Sequence, residues 1–410
     1  MTVFYHTRLE NGLTVIGERN PAAQSMAAGY FVRTGARDEP DAWEGVSHFL
    51  EHMMFKGTAR RSAADVNREF DEIGAQYNAF TSEENTVYYG RVLPEFQGRL
   101  LDLLTDMMRP SLREEDFAVE KKVILEEIAR AEDMPIHVAY DAARRRFYEG
   151  HPLGHRVLGT AETIGRLTRE EMESYFRQRY VPSNMTLVLT GRFDWEAALA
   201  QVEALTAGWE DRPAGRELAR PKTQRGIVVQ REPKLKKVHL IWMIPGPSAQ
   251  EELRYAGGLV ASAVGDDVGS RLYWALVDPG LADAASLSLD VEDHTGAYLG
   301  YVACQPEDAP KVVERMRHVL EEATRTGLTA EETERAKQKV ASGQVIRSET
   351  PMGRMMHVGM EWVYRREYRP PDEAVDRLLR VGMEEIEAVL AAYPLTEAFC
   401  YALGPIERLD

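Results

Sequence analysis

Apolar and polar positions alternate from the first residues through 12–17, the period-two signature of a half-buried strand, and residues 27–33 read as a second strand. Residues 46–55 break that rhythm with a largely apolar, helix-prone run. Ser62 is placed to cap a helix that runs to residue 73, where Gly74 stops it. Residues 75–81 and 85–93 then read as two strands of a hairpin. Pro94 opens a helical stretch to residue 108, Pro110 and Ser111 interrupt it, and residues 113–131 form a second long helix. Further helix follows Pro135, and residues 184–190 read as a strand.

The pattern lapses between residues 207 and 226, where Pro213, Gly215, Pro221 and Gly226 lie among charges with little apolar periodicity. The earlier order then restarts with a strand at 238–244. Late in each half a helix leads into a Tyr-Pro-type turn and an apolar strand ending in Gly, first at Tyr180 to Gly191 and again at Tyr393 to Gly404. This predicts an internal duplication of an α+β unit, each copy a mostly antiparallel sheet packed with helices. The expected division is an N-terminal half at residues 1–210, a linker at 211–226 and a C-terminal half at 227–410. At 410 residues, two cores are expected in any case.

Composition narrows the function without naming it. A formal net charge of −16 argues against a nucleic-acid binder, and the apolar runs are too short to span a bilayer. The first 19 residues carry acidic groups and no apolar stretch of the secretory type, so a cytoplasmic setting is expected. Cys304 and Cys400, the only two cysteines, show no CxxC spacing and are expected to be buried free thiols.

The chemistry concentrates in Ser47-His48-Phe49-Leu50-Glu51-His52-Met53. On a helix, residues four apart lie about 40° apart around the axis, so His48 and His52 project together and can share one zinc ion. Glu51 lies about 60° from His48 on the other side, close enough to reach a water on the metal without binding it. Such a carboxylate can act as general base and later hand its proton to a leaving amine. With 10 histidines in the chain, this five-residue arrangement is expected by chance on the order of 0.02 times. The order is the inverse of the commoner metallopeptidase motif. A third ligand is required, with a fourth position left open. Glu120 and Glu127, two helical turns apart in Glu120-Lys-Lys-Val-Ile-Leu-Glu-Glu127, both qualify, and spacing does not rank them. Val123, Ile124 and Ile128 flank that edge and suggest that it faces inward, whereas Glu126 is rotated away by about 100°.

These residues resemble the pitrilysin/insulinase family of zinc peptidases, in particular its short two-domain members such as mitochondrial processing peptidase subunits. The resemblance rests on Gly45-Val-Ser-His-Phe-Leu-Glu-His-Met-Met-Phe-Lys-Gly-Thr58, Gly74-Ala-Gln-Tyr-Asn-Ala-Phe-Thr81, Glu120 to Glu127, His151-Pro-Leu-Gly154 and Val157-Leu-Gly-Thr160. The match is strong in the first half and is one of layout in the second. It implies one Zn²⁺ per chain, with Glu127 as third ligand and Glu120 as a partner that orients a histidine through its other ring nitrogen. It implies that the strand near residues 75–81 pairs with an extended peptide, Asn78 and Ala79 facing the substrate backbone. It also implies two duplicated halves facing each other as a clamshell, and a working homodimer or a heterodimer with a related subunit.

One departure stands out. Family members often carry an Arg and a Tyr in the second half, shortly after Ser-Arg-Leu. Gly269-Ser-Arg-Leu272 is present, but Leu276-Val-Asp-Pro-Gly-Leu-Ala-Asp-Ala-Ala285 follows without either. Arg271, Tyr298 and Tyr301 are the nearest alternatives, with Arg271 expected to be structural. The leading expectation is therefore a zinc metalloendopeptidase. Its alternatives are an inactive or partner-dependent peptide-binding subunit and a zinc hydrolase of a non-peptide substrate.

Overall fold

The computed structural model describes residues 2–409. Its strands are β1 (Val3–Arg8), β2 (Thr14–Arg19), β3 (Met26–Val32), β4 (Gln76–Thr81), β5 (Thr86–Val92) and β6 (Met185–Gly191) in a first sheet. A second sheet holds β7 (Gly226–Arg231), β8 (Val238–Pro245), β9 (Ala284–Glu292), β10 (Thr295–Cys304) and β11 (Phe399–Gly404). The spatial orders are β1-β2-β6-β3-β5-β4 and β7-β11-β8-β10-β9. In both, a parallel pair (β2 with β6, β7 with β11) leads into antiparallel neighbours throughout. Leaving out β1, the two sheets have one topology, and the strands after the two Tyr-Pro turns, β6 and β11, hold the same place in it. The duplication read from the sequence is present in the fold.

The helices that matter most here are α1 (Val46–Met54), α2 (Ala63–Glu72), α3 (Gln97–Met107), α4 (Glu114–Glu132) and α5 (Pro135–Phe147). Ser62 caps α2, its hydroxyl accepting from the Asp65 amide while the Asp65 carboxylate returns the bond to the Ser62 amide. The helical stretch from Pro94 begins as one 3₁₀ turn, Pro94–Phe96, before α3 takes over. No helix or strand occupies the segment between Thr206 and Gly226.

The chain divides into two compact units that are not contiguous in sequence. One comprises Met1–Ala129, His155–Glu217 and Ile346–Tyr368; the other comprises Arg130–Gly154, Leu218–Val345 and Arg369–Asp410. Besides a crossing within 211–226, therefore, each unit takes a helix from the other half of the sequence. In the first unit, one sheet face carries the main core, with Phe49, Leu50, Leu104, Ile124 and Leu187 in it. The other face is closed by the helix Pro351–Arg365, whose Met355, Val358 and Trp362 cover Ile16, Phe31 and Val188. Gly359 of that helix lies so close that an added Cβ would fall 2.2 Å from a Phe31 ring carbon. In the second unit, α5 plays the same part, Ala139, Ala143 and Phe147 covering Ile241, Met243, Phe399 and Tyr401. Each exchanged helix also carries a buried arginine ion-paired to its new sheet, Arg354 with Glu18 and Arg144 with Glu292.

Cys304 and Cys400 are buried free thiols. Among the described residues, no helix is long and apolar enough to cross a membrane.

Candidate metal centre

Helix α1 owes its position to its N-terminus. Gly45 caps it with φ 95°, the left-handed region, and a side chain there would strike Leu158 O and Gly159 Cα at 2.7 and 2.8 Å. Gly159 is itself left-handed, with φ 71°. Two of the motifs noted in the sequence, at 45–58 and 157–160, thus meet backbone to backbone. The Glu39 carboxylate accepts from the amides of Gly45 and Ser47, both at 2.7 Å, and fills the anion position that a helix N-terminus offers. Ser47 Oγ and Thr34 Oγ1 both bond the buried Tyr175 hydroxyl, at 2.7 and 2.8 Å.

From this fixed helix His48 and His52 project toward α4. The imidazole centroids are 4.7 Å apart. His48 Nε2 lies 3.9 Å from Glu127 Oε1, and His52 Nε2 lies 3.7 Å from Glu127 Oε2. One ligand atom from each of the three residues falls within 4.8 Å of the others. A tetrahedral zinc ion with bonds near 2.1 Å sets its ligand atoms about 3.4 Å apart, so small side-chain rotations bring this set onto one ion. Two imidazoles and a carboxylate, with no fourth donor grouped with them among the described residues, are donor types that suit zinc and leave a coordination position open. Burial first, and the neighbouring His52 second, push the His48 pKa down to about 3. It is neutral at physiological pH, the form that can bind metal.

Glu120, the other carboxylate on this edge, points elsewhere. Its Oε1 lies 2.8 Å from His52 Nδ1, the nitrogen turned away from Glu127, and its Oε2 lies 2.5 Å from Lys56 Nζ. Glu127 thus approaches both histidines, while Glu120 meets His52 at its other ring nitrogen. Burial lowers the pKa of His52, and its hydrogen bond to Glu120 together with the charges of Glu120, Glu127 and Glu51 more than offsets that, for a net rise. His48 has no such support. Its Nδ1 is buried without a hydrogen-bond partner, so packing orients that ring.

Glu51 lies outside the ligand set, with Oε2 accepting from Thr81 Oγ1 at 2.6 Å. Burial raises its pKa, against the lowering effects of the Thr81 bond and His52. Strand β4, which carries Thr81, is the edge strand of its sheet. There Asn78 is exposed and Ala79 buried, so their side chains leave opposite faces of the strand. The expectation that Val123, Ile124 and Ile128 share an inward face holds only in part: Ile124 and Ile128 are buried, but Val123 is 37% exposed. Glu126 is exposed, as its rotation from Glu127 implies.

In the second unit Arg271 makes a two-bond ion pair with Glu332, at 2.7 and 2.8 Å, and donates to Gly327 O. Tyr298 is buried in that unit's core, and the Tyr301 hydroxyl bonds His239 Nδ1 at 3.0 Å.

Sequence reasoning passed over Glu39, Lys56 and Thr81. Lys56 was within reach, four residues beyond His52 in a helical register. Glu39 follows no spacing rule, since it caps α1 from across a loop.

Comparison with known proteins agrees with this architecture. Residues 14–161 match the model of the insulinase peptidase family, M16, and residues 166–340 match that of the M16 inactive domain. A protein of Streptomyces coelicolor described as an uncharacterized zinc protease is 32% identical over 393 residues, covering 93% of this chain and 85% of that one. This chain belongs to the M16 insulinase family. Among solved structures, the peptidase M16 inactive domain from Pseudomonas fluorescens superposes with a TM-score of 0.91 at 17% identity, covering 100% of this chain and 99% of the other. A protease from Helicobacter pylori superposes at 0.90, also at 17% identity, over 98% and 100% of the two chains. At that identity the likeness is one of fold.

Proposed function

We propose that this chain is a zinc-dependent metalloendopeptidase that cleaves extended peptides or unfolded polypeptides. The observation that carries the reading is the convergence of His48, His52 and Glu127 beside a carboxylate, Glu51, that is not part of the ligand set. His48, His52 and Glu127 hold one Zn²⁺, and Glu120 fixes the tautomer and orientation of His52. When bound, zinc supplies Lewis acidity, which polarises a carbonyl and acidifies water. Glu51 is the general base: its carboxylate takes a proton from the attacking water and delivers it to the departing amine. Burial pushes its pKa upward, the direction that makes a carboxylate a stronger proton acceptor.

An extended substrate adds to the free edge of β4, its backbone running alongside Asn78 and Ala79. This mode recognises backbone shape and favours unfolded segments over folded ones. The match of residues 166–340 to an inactive-domain model supports a second half without a metal centre of its own.

Metal analysis and peptide digestion test the reading together. The purified protein is expected to contain about one zinc per chain. Chelation should abolish cleavage of an unfolded polypeptide, and added zinc should restore it. Protein without zinc contradicts the enzyme reading. Zinc-loaded protein that cleaves nothing supports the alternative, a peptide-binding subunit that needs a partner chain. The mass of the purified particle separates a monomer from a pair of identical chains and from a pair with a related subunit.

A further inference from the structure

The contact between Thr81 and Glu51 joins two parts of the site that the mechanism treats separately. Glu51 is on α1, within the metal-binding motif, whereas Thr81 is the last residue of the edge strand β4. The Thr81 hydroxyl donates to Glu51 Oε2 at 2.6 Å, a short charge-assisted bond. Thr81 is half-buried and two residues beyond Ala79, so its side chain leaves the same face of the strand as the buried Ala79. That face packs in the core beside Phe49, Leu50 and Met53 of α1. The hydroxyl is therefore carried on backbone that is held by β5 on one side and packed on α1 beneath. A β-branched side chain has few χ1 choices, which makes Thr a stiff mount for a single hydroxyl. Glu51, by contrast, has three side-chain torsions, and among the described residues this is its one side-chain hydrogen bond.

We propose that Thr81 is a positioning residue for the general base. By engaging one carboxylate oxygen it selects the Glu51 conformer that leaves the other oxygen free for the proton transfer. It also references the base to the strand on which substrate would dock. The inference rests on the general-base role proposed for Glu51. Thr81 touches neither the ligand set nor, through its side chain, the outward edge of the strand. Its loss should consequently affect the chemical step and leave both metal and substrate binding intact.

The test compares Thr81→Val, which keeps the shape and loses the hydroxyl, with Thr81→Ser, which keeps the hydroxyl. Thr81→Val should retain wild-type zinc content and KM for a chosen peptide while kcat falls about 10- to 100-fold. Thr81→Ser should restore most of that loss. Unchanged kcat in Thr81→Val, a change confined to KM, loss of zinc, or equal impairment of both variants each overturns the proposal. A second readout needs no turnover: crystal structures of the metal-free wild type and Thr81→Val. The wild type should show one Glu51 conformer on the Thr81 hydroxyl, and the valine variant a displaced or multiple conformer. A Glu51 that is unmoved in the variant, or that stands away from Thr81 in the wild type, sinks the idea even if the wild type cleaves no peptide, an outcome that would separately refute the peptidase reading.

Discussion

His48, Glu51 and His52 announce themselves in the sequence because helical geometry alone sets them on one side of α1, and they stand there in the structure. Glu127 did not, since Glu120 shares its helix edge and its chemistry; only the turn of each carboxylate toward a different histidine nitrogen separates them. Two predictions follow at this scale. Glu127→Gln should remove most of the bound zinc, whereas Glu126→Gln, on the exposed face, should leave it in place; equal zinc contents by metal analysis would reject the assignment. Glu120→Gln should weaken zinc about 10- to 100-fold, read by competition with a chelating dye, because His52 loses the carboxylate that orients it. Glu39 was illegible for a physical reason. A capping residue next to its helix leaves a spacing signature, but a carboxylate reaching two amides of α1 from across a loop leaves none.

Eight elements could be read from the sequence pattern within one or two residues: the strands β3, β4, β5, β6 and β8, and the helices α1, α2 and α4. Periodicity reports that a helix buries one face, and not which sheet that face meets. That is why α5 and the helix Pro351–Arg365, each seated in the unit built mostly from the other half of the sequence, could not be assigned. Their buried ion pairs should be sensitive. Arg354→Ala deprives the buried Glu18 carboxylate of its ion-pair partner, and is expected to cost about 3–5 kcal/mol in denaturant unfolding. A loss below about 1 kcal/mol would mean that this helix is not anchored as described. The Arg271–Glu332 pair adds a pH signature to the helix Ala330–Ser348. Hydrogen bonds from Arg271 hold the Glu332 carboxylate down to about 2, against about 4.3 for an unfolded glutamate. A depressed acid contributes stability that is full above the unfolded value and fades as pH falls through it toward 2. Melting curves of Glu332→Gln should lack that part of the acid dependence while peptide cleavage at neutral pH is retained.

For the whole molecule, the repeated sheet topology shows that one α+β plan was used twice, and only the first copy carries converging metal donors among the described residues. Sequence layout was enough to see the repetition, because the Tyr-Pro turns recur before β6 and β11. The claim that joins fold to function is that the metal centre is catalytic, with Glu51 moving the proton. Its most direct test measures zinc content and cleavage of an unfolded polypeptide side by side for the wild type and Glu51→Gln. The variant removes the base and no ligand. About one zinc per chain in both proteins, with cleavage reduced at least about 100-fold in the variant, is the predicted result. Cleavage by Glu51→Gln at the wild-type rate, with zinc still bound, would contradict the account.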